Sequence, residues 1–287
     1  MADRGAAGAT AALGAARQTL TADQYQAIHG FLEQHAGIRL GSGKEYLVVS
    51  RLTRLLAQLK IADFAELTRR LQSISERRLQ LAVIDAMTTN ETFWFRDPVH
   101  YDILTAGLSA GRATPLRIWC AAASTGQEPY SIMMALRGGL NGRPNASLAG
   151  RHTVLGTDIS QTALEQARQA RYCGLSAARG LNDQQRHRYF KRDGDCLEVQ
   201  PEFRTGVSFR ELNLTRPFDG LGRFDVVFCR NVLIYFSAER KRDIIERIAK
   251  VLTPKGHLFL GSTESMNAHA DLFEMQHRNG GLVYQRR

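Results

Sequence analysis

Polar residues that can bind a charged ligand follow apolar segments in the second half of the chain. Asp158 ends the apolar segment Thr153–Asp158, and Arg230 and Asn231 follow the segment Phe224–Cys229. Each segment has the length of a buried strand, so these polar residues are predicted at strand ends. Two polar residues followed by more apolar ones are costly to bury without partners, which indicates a binding site.

The residue types at these positions suit a nucleoside that carries an amino group. Asp158 can accept hydrogen bonds from both hydroxyls of a ribose, or it can cap the following helix. Glu128 can accept from an ammonium group, or it can simply favour the positive end of a helix. Asn213 and Leu214 can contact a base or begin a turn. The loop at 121–131 lacks the Gly-x-Gly-x-x-Gly pattern, which argues against a dinucleotide.

A second polar group surrounds three consecutive aromatic residues, Phe93, Trp94 and Phe95. Three neighbouring side chains cannot share one helix face. The segment is therefore predicted to be a linker that plugs the joint between two domains, and its hydrogen-bonding groups also suit a lid over a ligand. The polar residues of this group are Asn90, Thr92 and Arg96.

The elements that must position these residues alternate between strand and helix from residue 115 onward. Apolar strand-like segments lie at 116–121, 153–158, 207–212, 224–229 and 257–261. This alternation predicts an α/β fold with a doubly wound parallel sheet. Asp193-Gly194 predicts a hairpin within a small β insertion at about 188–205, and Asn279-Gly280 predicts a second hairpin that leaves the last strand antiparallel.

The chain before this sheet is predicted to be helical. Thr21-Ala-Asp-Gln24 has the pattern of a helix start, and residues 21–88 hold about four amphipathic segments. One segment has an apolar stripe, with Arg51 and Arg54 lying off it, so it is predicted to be a helix with a basic face. The residues of its stripe are Leu52, Leu55, Leu56 and Leu59.

Composition narrows the class of protein. Residues 1–20 are rich in Ala and Gly and are predicted to be a disordered arm, and residues 89–114 are predicted to link the two domains. The formal net charge of +10 at pH 7 favours an acidic partner. No signal pattern or long apolar segment occurs, so a cytoplasmic protein without membrane insertion is expected. The 4 cysteines and 8 histidines lack the usual spacings, so neither a disulfide nor a metal site is predicted.

Three of these segments, taken together, resemble the chemotaxis receptor methyltransferases, the CheR family, and the resemblance extends over residues 21–286. They occur in order and with similar spacing: Thr88-Thr-Asn-Glu-Thr-Phe-Trp-Phe-Arg96, Ala121-Ala-Ala-Ser-Thr-Gly-Gln-Glu-Pro-Tyr-Ser131 and Cys229-Arg-Asn-Val-Leu-Ile-Tyr-Phe236. The resemblance implies an all-α N-terminal domain before a Rossmann-like, S-adenosylmethionine-dependent methyltransferase sheet in residues 115–287. A closing hairpin is typical of that sheet.

The resemblance also implies what the protein does. It implies methylation of glutamate side chains in methyl-accepting chemotaxis receptors, for sensory adaptation, with S-adenosylhomocysteine as product. Arg51 and Arg54 are expected to face the receptor's acidic methylation helix, and Arg96 and Tyr235 to orient the acceptor carboxylate or the sulfonium. A monomer that binds no nucleic acid is expected. The residues implied around the cofactor are Asn90, Thr92, Arg96, Glu128, Asp158, Asn213, Leu214, Arg230, Asn231 and Tyr235.

Methylation of glutamate agrees with the absence of a predicted general base. A glutamate side chain, with a pKa of about 4.3, is already ionised near neutral pH and needs no base to activate it. The loop Arg192-Asp-Gly-Asp195 is shorter than in relatives that dock a receptor's C-terminal pentapeptide there, so an enzyme that needs no such tether is expected.

Two alternative functions stay open. A nucleic-acid methyltransferase would explain the charge, although Arg230-Asn-Val-Leu stands where an Asn/Asp-Pro-Pro-Tyr/Phe motif is usual. A non-enzymatic sensor of the cofactor is the other.

Overall fold

A computed structural model describes residues 19–110, 114–138, 151–174, 176–266 and 269–287. The disordered arm was predicted for residues 1–20. Residues 1–18 of it lie outside the described residues. Within the described ranges, no helix combines the length and the apolar character that crossing a membrane requires.

Four helices form the N-terminal domain around a core of their own. They are α1 (Ala22–Ala36), α2 (Glu45–Leu59), α3 (Phe64–Leu71) and α4 (Arg77–Met87). The predicted start of α1 is confirmed: the Thr21 hydroxyl accepts the Gln24 N–H, and the Gln24 side chain accepts the Thr21 N–H. On α2, Leu52 and Leu56 are buried whereas Leu59 is 43% exposed, so the apolar stripe ends before the helix does.

Ten strands of the described residues form two sheets. They are β1 (Arg117–Ala121), β2 (Thr153–Asp158), β3 (Arg171–Cys173), β4 (Phe190–Asp193), β5 (Cys196–Val199), β6 (Val207–Glu211), β7 (Phe224–Cys229), β8 (Leu252–Phe259), β9 (Phe273–Arg278) and β10 (Gly281–Arg286). The helices that follow the N-terminal domain are α5 (Val99–Asp102), α6 (Gln127–Gly138), α7 (Gln161–Gln169), α8 (Asp183–Tyr189), α9 (Pro201–Arg204) and α10 (Ala238–Val251).

The larger sheet has the order β6-β2-β1-β7-β8-β10-β9. The first five strands in this order, β6, β2, β1, β7 and β8, are parallel to one another. Strand β10 pairs antiparallel with β8 and with β9. Apolar clusters cover both faces, as expected for a parallel sheet between two layers of helices. The predicted sheet and its closing hairpin are therefore confirmed. The strand expected at 257–261 begins earlier, at Leu252.

The small β insertion has three strands in the order β3-β5-β4, one more than the sequence predicted. Strand β3 was missed because three residues give too short a pattern. The prediction of no disulfide is wrong, since Cys173 and Cys196 are bonded. Antiparallel pairing of β3 with β5 places the two cysteines directly opposite each other, with 4.1 Å between their Cα atoms. Their separation of 23 residues hides this pairing in the sequence.

The aromatic linker packs against this insertion, and not only against the joint between the domains as predicted. The backbone N–H of Trp94 donates to the carbonyl of Arg179 at 3.1 Å, and its indole N–H donates to the carbonyl of Ala177 at 2.8 Å. The indole also meets the ring of Tyr172 edge-on, with 4.9 Å between ring centroids. The segment at 176–181 therefore holds the linker that leads to Arg96.

Replacing Gly180 by alanine should test this contact. Gly180 has a φ of +91°, and a Cβ there would lie 2.2 Å from the Trp94 carbonyl oxygen. Gly174 is the matched control, because its φ is +82° but nothing lies within 4 Å of an added Cβ. Left-handed backbone should cost each variant about 1–2 kcal/mol. We expect Gly180→Ala to lose a further ~1–3 kcal/mol in the free energy of urea unfolding. Equal losses would contradict the packing described.

Candidate functional site

A cavity of about 340 Å³ lies at the carboxyl edge of the parallel strands, where the helical domain closes over the sheet. Its size is within the range of small-molecule sites, and its position is where α/β sheets bind ligands. Of the twelve predicted site residues, eleven line it: Arg51, Asn90, Thr92, Arg96, Glu128, Asp158, Asn213, Leu214, Arg230, Asn231 and Tyr235. The twelfth, Arg54, is exposed on α2 away from the cavity.

Arg230 is a buried cation at the floor of this cavity. One guanidinium nitrogen donates to the Glu128 carboxylate at 2.6 Å. The other donates to the Asp97 carboxylate and, at 2.9 Å, to the carbonyl oxygen of Arg96. A buried charge is tolerated only when it is paired and hydrogen-bonded, so these contacts join the end of β7 to both α6 and the linker. Asp97 was not predicted, although it directly follows Arg96.

Glu128 lies at the start of α6, after the loop of small residues. Burial raises the pKa of its carboxyl, and the facing Arg230 guanidinium offsets part of that rise. Arg230 engages one of the carboxylate oxygens. Because a carboxylate has about four acceptor positions, Glu128 retains the capacity to accept from an ammonium group in the cavity.

Asp158 ends β2 and is held by two backbone groups. Its two oxygens accept the N–H of Ser124 at 2.8 Å and the N–H of Ser160 at 2.9 Å. Burial raises the pKa of the Asp158 carboxyl, which these hydrogen bonds partly counteract. The alternative role as a helix cap is not observed, because Ser160 caps α7. Asp158 thus presents a fixed carboxylate to the cavity, as binding of ribose hydroxyls requires.

Two of the predicted residues are engaged by backbone carbonyls: Asn213 connects the sheet domain to the helical domain, whereas Arg51 binds within the helical domain. The side-chain amide of Asn213 donates to the carbonyl of His35 at the end of α1, at 2.7 Å. The guanidinium of Arg51 donates to the carbonyls of Met87 and Thr88, at 2.7 and 3.1 Å. The Asn213 amide group and the Arg51 charge are therefore already engaged within the protein.

Another contact between the domains was not predicted. The Asp85 carboxylate, near the end of α4, accepts the hydroxyl of Ser160 at 2.5 Å and the hydroxyl of Thr162 at 2.6 Å. Ser160 is also the residue whose N–H binds Asp158. The helical domain therefore buttresses the backbone behind the predicted ribose site. Asp85 falls inside a helix pattern, where no sequence signal marks such a role.

Arg96 differs from Arg51 and Arg230, the two other predicted arginines that line the cavity. Its guanidinium lies over the ring of Phe93, 5.5 Å from the ring centroid, and makes no ion pair within the described residues. Arg51 and Arg230 are engaged by the protein, whereas Arg96 keeps its hydrogen-bond donors available. A free guanidinium beside a cavity is suited to recognise a carboxylate.

Apolar and small residues also line the cavity, which suits a nucleoside base. They include Ala122, Ala123, Ile159, Leu212 and Leu214. These apolar residues and the hydrogen-bond-accepting carboxylates of Glu128 and Asp158 fit a nucleoside that carries an amino group, such as S-adenosylmethionine. Residues 36–47 of the helical domain complete the wall opposite the sheet, and their sequence pattern gave no indication of this role.

The chain is similar to known proteins over most of its length. Residues 23–88 match the model of the "CheR methyltransferase, all-alpha domain", and residues 90–281 match the "CheR methyltransferase, SAM binding domain". The chain is 44% identical to chemotaxis protein methyltransferase 1 of Pseudomonas aeruginosa over 261 residues, covering 89% of this chain and 94% of the relative. It is 40% identical to the chemotaxis protein methyltransferase of Vibrio parahaemolyticus over 271 residues, covering 93% and 98%.

A solved structure is also similar, at a lower level. The magnesium protoporphyrin IX methyltransferase of Synechocystis PCC 6803 with bound SAM aligns over 94% of this chain and 100% of its own. The identity is 14% and the TM-score is 0.40, so this likeness carries no argument about the site.

Replacing Glu128 by glutamine should weaken cofactor binding. The neutral amide would remove one of the two carboxylates that pair with Arg230 and could not pair with an ammonium group. We expect the Kd for S-adenosylhomocysteine, measured by calorimetry, to rise about 10- to 100-fold. Glu91→Gln is the matched control, because Glu91 lines the same cavity but is exposed and pairs with Arg179. An unchanged Kd in Glu128→Gln would contradict the assigned role.

Proposed function

The chain belongs to the CheR methyltransferase family, and on that premise we propose that it methylates glutamate side chains of methyl-accepting chemotaxis receptors. The products would be glutamate methyl esters and S-adenosylhomocysteine, and the role would be sensory adaptation. The observation that carries the proposal is the free Arg96 guanidinium beside a cavity that fits S-adenosylmethionine. The chemotaxis methyltransferases that the chain resembles support the same substrate class.

The reaction class needs little from the protein beyond positioning. Bound S-adenosylmethionine supplies a methyl group on a positively charged sulfur. In the proposed reaction this methyl group would pass to a carboxylate oxygen of the acceptor, and the electron pair of the broken carbon–sulfur bond would remain on sulfur. The acceptor is already ionised near neutral pH, so no general base is required. Alignment of the two reactants and exclusion of water then account for the rate.

Each residue of the cavity takes a definite part in this proposal. Glu128 and Asp158 would hold the ammonium group and the ribose. Arg96 and Tyr235, which both line the cavity, would orient the acceptor carboxylate or the sulfonium end of the cofactor. Arg51 is engaged by backbone carbonyls, so recognition of the receptor's acidic helix would rest on Arg54 of α2.

We also propose that the protein acts as a monomer and needs no receptor tail. A receptor tail would not be needed for docking, because the short loop between β4 and β5 would offer too little surface to bind the C-terminal pentapeptide of a receptor. The insertion itself is packed against the linker through Trp94 and Tyr172.

Incubation with methyl-labelled S-adenosylmethionine and a receptor cytoplasmic fragment tests the proposed function. We expect label in the receptor, released as methanol by mild base because a carboxyl ester is base-labile. A fragment with its methylated glutamates replaced by alanine is the control and should stay unlabelled. Label that resists base, or label transferred to DNA instead, would reject glutamate as the acceptor.

Two arginine variants should separate orientation of the acceptor from docking of the receptor. We expect Arg96→Ala to lower kcat by about 10²-fold or more, since the acceptor carboxylate loses its fixed partner. Arg54→Ala should instead raise the KM for the receptor and leave kcat unchanged, because an exposed cation contributes to encounter. Steady-state kinetics with the same fragment measure both. Normal kcat in Arg96→Ala would contradict its role.

A further inference from the structure

The segment that follows β7 folds around the carboxylate of Glu264. One oxygen of Glu264 accepts the backbone N–H of Asn231 at 2.7 Å and that of Gly261 at 2.8 Å. The other accepts the N–H of Val232 at 3.1 Å and that of Leu233 at 2.8 Å. Asn231 has a φ of +58°, so the chain turns sharply at this point. A single side chain thus satisfies four backbone donors.

An ionised carboxylate is the group best suited to this position. Successive backbone N–H groups in such a turn form a concave site for an anion, and hydrogen bonds to a charged acceptor are stronger than those between neutral groups. The fit is also tight. A Cβ on Gly261 would lie 2.6 Å from the side-chain nitrogen of Asn231 and 2.9 Å from a Glu264 oxygen.

The segment held in this way carries residues of the cofactor cavity at both ends. Arg230, which pairs with Glu128 and Asp97, immediately precedes it. Tyr235 follows within the same turn and lines the cavity, and its carbonyl accepts the N–H of Arg39 from the helical domain at 3.1 Å. Glu264 itself does not line the cavity. Any effect it has on binding must therefore pass through the segment.

We propose that Glu264 is a positioning residue for the cofactor site. Its carboxylate fixes the backbone at 231–233, and that backbone sets the direction of the Arg230 guanidinium and the place of the Tyr235 ring. Loss of the carboxylate should therefore weaken cofactor binding and slow methyl transfer. The effect on rate rests on the proposed function, whereas the effect on cofactor binding does not.

The test uses the full chain with Glu264→Gln. Glutamine keeps the shape but replaces one oxygen by an NH₂ group, so two backbone N–H groups would face another donor. We expect faster hydrogen–deuterium exchange in peptides that cover 229–236, because these amides lose their acceptors. We also expect the Kd for S-adenosylhomocysteine to rise about 10- to 100-fold, the scale found when residues that support a ligand-binding group are removed.

Two further variants complete the design. Glu274→Gln makes the same chemical change at an exposed position of β9, and it should leave both exchange and Kd as in the unaltered protein. Gly261→Ala keeps the Glu264 charge but pushes Asn231 and the carboxylate apart. It should therefore reproduce the faster exchange and the weaker binding.

The binding measurement distinguishes this proposal from the proposed function. A folded Glu264→Gln protein with lower thermal stability but unchanged Kd and unchanged exchange at 229–236 would overturn the positioning role. If Glu264→Gln does not fold, Gly261→Ala and Glu264→Asp are judged by the same two measurements. Failure of all three variants to fold would also overturn the proposal. Weaker cofactor binding together with absence of receptor methylation in the unaltered protein would uphold the positioning role and reject glutamate as the acceptor.

Discussion

The site depends on one buried ionic contact, the guanidinium of Arg230 between the carboxylates of Glu128 and Asp97. Removing a charge from water costs several kcal/mol, and Arg230 is 6% exposed, so all its partners must stay in place together. Those partners come from the start of α6 and from the linker. The contact therefore couples the end of β7, the start of α6 and the linker that carries Arg96, the residue proposed to orient the acceptor carboxylate.

Both domains line the cavity, and specific polar contacts hold the two domains together. Asp85 of the helical domain reaches Ser160 and Thr162 of the sheet domain, and Asn213 reaches back to the end of α1. A methyl transfer between opposite charges depends on exclusion of water, and the helical domain supplies part of the cavity wall. The same domain would present Arg54 to the receptor, so substrate docking and cavity closure belong to one unit.

Much of this arrangement could be predicted from sequence, because it follows from periodicity. Alternating apolar segments placed Asp158 and Arg230 at strand ends, and parallel strands bring such ends to one edge of the sheet. What the patterns could not supply were partners distant in sequence. Asp85 and Glu264 look like ordinary surface carboxylates, and Cys173 and Cys196 carry no recognisable spacing. Their roles depend on which backbone groups the fold places opposite them.

The sequence by itself determined the fold class, the helical and sheet segments and most of the predicted residues that line the cavity, since these depend on local pattern and chain order. The tertiary structure alone decided what each charge does. Arg51 and Arg96 look alike as residues, yet the first is engaged by the carbonyls of Met87 and Thr88 and the second is free. A guanidinium acts on a ligand only where the surrounding backbone leaves its donors unused, and that geometry exists only in the folded chain.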